Sequence, residues 1–108
     1  MKIVLFEKDL LVFDNGNSMV SYHDPDCCED NYADFDQLED TALNHNFDEK
    51  TFKITPCDWG FRFGDISRTF FVPCYSYQNG YYSYEIDVEY RDKDDNTLLK
   101  IKTMCEYK

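Results

Sequence analysis

Seven side chains that could do chemistry, His23, Asp24, Asp26, Cys27, Cys28, Glu29 and Asp30, fall within the ten residues "SYHDPDCCED" from Ser21 to Asp30. Imidazole, thiolate and carboxylate all bind divalent metals, and imidazole with thiolate favours tetrahedral zinc. The spacing from His23 to Cys27 or Cys28 suits a short loop closing round an ion. Neighbouring residues of an extended chain point to opposite sides, so one of the two cysteines is expected on a metal held by His23, or both if the loop turns sharply. Asp26, with Asp24 and Glu29, can add oxygen ligands, and His45 and Cys57 can reach in from turns elsewhere. No Cys-x-x-Cys pair is present, so this is not a zinc-finger pattern. The plainer alternative is a surface histidine with two small buried residues.

Other chemistries fit less well. A thiol nucleophile needs a lowered pKa, and the acids around Cys27 and Cys28 raise it. "DKDDN" (Asp92 to Asn96) opens like a calcium loop, but Thr97 stands where its glycine belongs and Thr103 where its last acid belongs. It reads as a solvated hairpin turn. Carboxylate pairs are so abundant that none is informative for hydrolysis. The four glycines form no phosphate loop, and neither G-x-S-x-G nor H-E-x-x-H occurs. No enzyme is expected.

The negative charge is unevenly placed. From Asp9 to Glu49 there are twelve acids and no Lys or Arg, while the remaining ten acids and all eleven basic residues lie outside that stretch. Solubility is indifferent to where charge sits, so the clustering points to cations or to a basic partner. Direct nucleic-acid binding is disfavoured, because phosphate contacts need Lys and Arg. Five cysteines, an odd count, and an N-terminal stretch broken by Glu7, Lys8 and Asp9 suggest reduced thiols and a cytoplasmic setting. No apolar run is long enough to span a membrane.

The elements that position these residues follow from periodicity. At 108 residues, 43% hydrophobic and 18% aromatic, the chain suits one domain, 1–108, with its own core. "KIVLF" reads as a strand, and "DLLVFD" and "NSMVSYH" as a hairpin about Asn15-Gly16. A short helix is expected over Asp34 to Leu43, capped by Asp34 with Gln37 three residues on, its apolar face Phe35, Leu38 and Ala42. Asp36 and Asp40 would then project together from the opposite face. "TFKIT" and "WGFRF" follow as strands about the turn "PCDWG", with Trp59, Phe61 and Phe63 on one face. "TFFVPCYSYQNGYYSYEIDVEY" reads as a long hairpin about Asn79-Gly80. Its second arm alternates Tyr82, Tyr84, Ile86, Val88 and Tyr90 inward with Ser83, Glu85, Asp87 and Glu89 outward. Pro73 is expected to put its strand at an edge or bulge. The final strand "TLLKIKTMC" offers Lys100 and Lys102 to the Asp87/Glu89 face. The sum is an α+β fold: a twisted antiparallel sheet of about six or more strands with one short helix.

"HDPDCCED" and "QNGYYSYEIDVEY" together resemble a family of small uncharacterised bacterial and phage proteins with an H-x-x-D-C-C-E block and an N-G-Y-Y-S hairpin. His23, Asp26, Cys27, Cys28 and Glu29 match the first block, and Asn79, Gly80, Tyr81, Tyr82 and Ser83 the second. The resemblance implies mobile elements and their hosts as a setting, and so an anti-CRISPR-type inhibitor. An acidic surface can occupy the basic channel of a nucleic-acid-binding defence protein such as a CRISPR effector nuclease. Asp30, Asp34, Asp36, Glu39 and Asp40, with Tyr75, Tyr77 and Tyr81, are the expected contact residues, and zinc would be structural. The alternatives are a metal-dependent enzyme or accessory protein built on the His23–Glu29 cluster, and a metal-free interaction module.

Overall fold

The computed structural model describes residues 1–22, 30–77 and 84–107. The alternating strand patterns produce two five-stranded sheets. The first contains β1 (Ile3–Glu7), β2 (Leu10–Phe13), β3 (Ser18–Tyr22), β8 (Glu85–Arg91) and β9 (Thr97–Met104), antiparallel in the order β1-β2-β3-β8-β9. The second contains β4 (Asp30–Ala33), β5 (Lys53–Cys57), β6 (Gly60–Gly64), β7 (Thr69–Tyr77) and β10 (Glu106–Tyr107), in the order β10-β7-β6-β5 with β4 also on β7. β10 runs parallel to β7; every other pairing is antiparallel.

This is a nearly all-sheet fold, and the expected α+β class is wrong. The helix expected over Asp34–Leu43 is a 3-10 turn, Phe35–Gln37, and a five-residue helix α1, Asp40–Asn44. Leu38 and Glu39, both extended, separate them. A segment this short cannot hold a helix by its own hydrogen bonds, so burial decides its path. Phe35 and Ala42 both reach zero exposure along the broken course. Asp34 still caps, but Gln37 binds the Asp34 carboxylate and the Tyr75 hydroxyl, and Asp36 and Asp40 share no helix face.

The expected hairpin between β7 and β8 is also wrong. β7 pairs with β4, β6 and β10, whereas β8 pairs with β3 and β9, so the two strands lie in opposite sheets. Their alternation is real, but each buries its apolar side against the core between the sheets. Asn79, Gly80, Tyr81, Tyr82 and Ser83 lie outside the described residues. Pro73 is within the long strand β7 rather than at a sheet edge, at the point where pairing with β4 stops. Its carbonyl accepts the Asp34 N–H at 2.9 Å, but proline has no N–H to return. The Asp34 carbonyl accepts from Gln37 instead, which starts the 3-10 turn.

Facing rings fill the core. Phe13 of the first sheet lies 5.6 Å from both Phe47 and Phe52, and Phe47 lies 5.6 Å from Phe63 and 5.7 Å from Phe70 of the second. Phe47 belongs to neither sheet; it is inserted from the loop after α1. The N-terminal residue holds that loop, the Met1 ammonium donating to the Phe47 carbonyl at 2.8 Å and the Phe47 N–H to the Met1 carbonyl at 2.7 Å. Each such ring pair adds about 0.5–1.5 kcal/mol beyond burial.

On the outer face of the first sheet, Lys102 stands opposite Asp87 and Lys100 opposite Glu89, as alternation required. Glu89 is nevertheless buried, contrary to its expected outward exposure. Thr97, Tyr22 and Arg91 hydrogen-bond to its carboxylate and hold its pKa down to about 2. Side chains from neighbouring strands can roof an outward position that strand period alone leaves open.

Phe47→Ala is expected to lower the unfolding free energy by about 3–5 kcal/mol, and Phe47→Leu by less than half of that. Urea midpoints check this; a small loss in the alanine variant would show that the loop does not bind the sheets together.

Candidate functional site

The β5–β6 register sets Cys57 opposite Gly60, leaving Asp58 and Trp59 as a two-residue turn. Trp59 therefore leaves the inward face expected for it and is 53% exposed, while Phe61 and Phe63 are fully buried. Its φ is 64°, a left-handed backbone that costs an L-residue roughly 1–2 kcal/mol. Glycine would suit that position, but the glycine is one residue later for a separate reason. A Cβ on Gly60 would lie 2.2 Å from the Val72 carbonyl oxygen. The turn is held from two strands: the Cys74 N–H donates to the Trp59 carbonyl at 2.9 Å, and the buried Thr103 hydroxyl to the Gly60 carbonyl at 2.6 Å.

Three concavities meet at this indole. One, of about 380 Å³, is lined by the rings of Phe71, Pro73 and Tyr75 and by three carboxylates, Glu39, Asp58 and Glu106. A second, of about 370 Å³, lies toward Pro56, Lys102 and Met104. The third, of about 190 Å³ and almost wholly apolar, is formed with Tyr84, Met104, Cys105 and Tyr107. Trp59 was not anticipated as functional. The signal was available: a lone tryptophan in a two-residue turn between strands has no core to enter.

The acidic segment folds beside this groove. Asp30, Asp36, Glu39 and Asp40 are exposed and Asp34 half-buried. Gln37 links the 3-10 turn to Tyr75, and Tyr32 packs against Tyr75 and Tyr77 with ring centroids 5.8 and 6.2 Å away. Tyr77 is half exposed. The structure thus links Asp34 to Tyr75 through Gln37, sets Glu39 in the same concavity as Tyr75 and puts Asp30 opposite Tyr77. Among the described residues no hydrogen bond joins Asp36 or Asp40 to these tyrosines, and Tyr81 lies outside the described residues.

Of the expected metal ligands, His23, Asp26, Cys27 and Cys28 lie outside the described residues. His45 is bound to Asp65, Nε2 to Oδ2 at 3.0 Å, and packs edge-on against Phe47. Cys57 is half-buried, and burial pushes its thiol pKa up. Cys74 of β7 and Cys105, between β9 and β10, are both fully buried; their mutual hydrogen bond and burial hold the Cys74 thiol far above its ordinary range. Among the described residues no three His, Cys, Asp or Glu side chains group as a metal site. In "DKDDN" the Asp92 carboxylate accepts from Asp94 N and Asn96 N, both at 2.9 Å, so the turn uses those oxygens itself.

Residues 2–88 match a family described as a domain of unknown function, DUF7448, and the chain belongs to that family. No curated protein and no solved structure matches it. Among the described residues no helix is long and apolar enough to cross a membrane.

Asp65 governs the acid behaviour of this region. It is 3% exposed, and burial alone would raise its pKa. Hydrogen bonds from Ser67, the Asp48 N–H, His45 and the Arg68 N–H outweigh burial and hold it well below the usual carboxylate range. Glu89 is depressed likewise. As pH falls the unfolded chain protonates first, so this stability is full above about pH 5 and declines through pH 4 and below. Asp65→Asn puts an amide donor against donor groups and is expected to cost about 2–4 kcal/mol at pH 7. It should also flatten the acid limb of stability against pH. Wild-type urea midpoints at both pH 7 and pH 4 in this variant would refute the assignment.

Proposed function

We propose that this member of the DUF7448 family acts without catalysis, by binding the basic surface of a partner protein. The observation that carries the reading is the run of exposed carboxylates Asp30, Asp36, Glu39 and Asp40, with half-buried Asp34 tied through Gln37 to Tyr75, which we take as an acidic ridge. Its ion pairs among the described residues are Lys8 to Asp30 at 2.9 Å and Arg68 to Glu39 at 3.3 Å. Unrelieved like charge works against a compact chain, and a partner rich in Lys and Arg would relieve it. The same sign disfavours direct contact with nucleic acid.

A protein that binds nucleic acid presents such a basic surface. The finer reading is an inhibitor that occupies the channel of a host defence protein of the CRISPR effector class, in a bacterial cytoplasm. Support for that setting comes from the H-x-x-D-C-C-E and N-G-Y-Y-S resemblance. Zinc, assigned in this reading to His23 with Cys27 or Cys28, is structural, and elemental analysis of protein never exposed to a metal column tests it.

The test of function is a cleavage assay with a purified CRISPR effector nuclease, paired with binding kinetics across roughly 0.05 to 0.5 M salt. The triple variant Asp36→Asn, Glu39→Gln, Asp40→Asn should associate about tenfold more slowly at low salt. Wild-type binding should weaken steeply as salt rises. Binding indifferent to both salt and the triple variant would remove the ridge as the interface. Tight binding without lost cleavage would remove the inhibitor reading and leave the basic partner.

A further inference from the structure

The groove beneath Trp59 has the composition of a site for one particular cation. We propose that it takes an arginine side chain of the basic partner, an inference that rests on the partner's being basic. The guanidinium would stack on the exposed indole and donate to the carboxylates that line the concavity.

Several observations converge on this. Trp59, Phe71 and Tyr75 provide aromatic surface, and Glu39, Asp58 and Glu106 provide charge around one concavity of about 380 Å³. Among the described residues neither Asp58 nor Glu106 has an ion-pair partner. Glu39 already accepts a guanidinium N–H, from Arg68 at 3.3 Å, within the chain. The cations of this chain nearby are engaged elsewhere: Arg62, opposite Phe71, has its Nε and Nη2 each 3.0 Å from Thr69 oxygens, and Lys102, which lines the adjoining concavity with Asp58, pairs with Glu85 at 3.6 Å and Asp87 at 3.7 Å. A cation entering from a partner therefore finds two carboxylates unclaimed.

Arginine suits this geometry better than lysine. Its planar head lies flat on a ring while its edge N–H groups reach carboxylates in that plane. An ammonium can take the charge but cannot stack, and it is more strongly hydrated. A preference of about three- to tenfold follows.

Trp59 is the single tryptophan of the chain, so its fluorescence reports this groove directly. Intact protein would be titrated at low salt with two short peptides, alike except for arginine or lysine at the basic positions. The expected result is a saturable change in Trp59 emission, with the arginine peptide about three- to tenfold tighter. It should be abolished in Asp58→Asn/Glu106→Gln. Trp59→Gly supplies a second variant that removes the indole while relieving the backbone, because glycine favours φ near 64°. It should keep or raise the melting temperature while losing arginine binding by calorimetry. Equal affinity for the two peptides, or arginine binding unchanged in Trp59→Gly, overturns the proposal. Arginine binding that leaves Trp59 emission unmoved but is lost in the Asp36, Glu39, Asp40 triple variant also overturns it, while the ridge survives. Binding at Trp59 that ignores Asp36 and Asp40 keeps the groove and moves the interface off the ridge.

Discussion

Burial of the aromatic rings between the two sheets is the constraint on which the other features of the fold depend. Phe13 and Tyr90 come from one sheet, Phe63 and Phe70 from the other, and Phe47 and Phe52 from the chain between α1 and β5. Phe47 can occupy that position only because the loop carrying it is tied at its far side. Asp65 binds both His45 and the backbone N–H of Asp48, and so grips the loop on either side of the ring. One of the two carboxylates expected to make stability fall in acid is thus also the one that seats the central ring. A buried charge is tolerated there because every surrounding donor points at it.

The same core frames the exposed groove. Phe61 and Phe63 anchor β6 with no exposed area, and Val72 and Cys74 anchor β7. Between them Gly60 lets the two backbones approach, and the turn before it is fastened by Cys74 and Thr103. Trp59 is thus a large apolar side chain held in the open on a rigid hairpin, in a backbone conformation that disfavours it. A stable sheet can absorb a cost of about 1–2 kcal/mol at one turn. Recognition of a cation, as proposed above, would give an exposed indole at that turn a use.

The acidic segment reaches that groove by a change of sheet. β3 belongs to the first sheet and β4 to the second, and Asp9 fastens the crossing. Its N–H donates to the Ala33 carbonyl at 3.2 Å, its carbonyl accepts from Ser21 N at 3.0 Å, and its carboxylate accepts from the Ala33 N–H at 3.0 Å. The pairing of β4 stops before Pro73, and the turn that follows it brings Glu39 into the concavity beside Trp59. Charge clustered in the sequence becomes a ridge beside an aromatic groove because these two junctions place it there.

Much of the strand content was legible in the sequence, since period-two burial is a local pattern. β1, β2, β3, β5, β6, β7, β8 and β9 all fall on stretches the sequence marked as strands, most of them by alternation, and Asn15-Gly16 marked its turn. The acidic segment and the Lys100/Lys102 ladder were equally legible, because charge and strand register follow from residue order. β4 and β10 were not, as each is too short to show a period and exists only through pairing with β7. Which sheet each strand joins was invisible for the same reason. Alternation tells which side of a strand is buried, but not whether the buried side meets its neighbour beside it or across a core. That choice separated β7 from β8, broke the expected helix, roofed Glu89 and brought Trp59 out to the acids. By itself the sequence determined the strands, the turns and the distribution of charge, all of which depend on neighbours along the chain. The tertiary structure alone decided the two-sheet arrangement and the groove, because both depend on residues that meet only after distant segments pack.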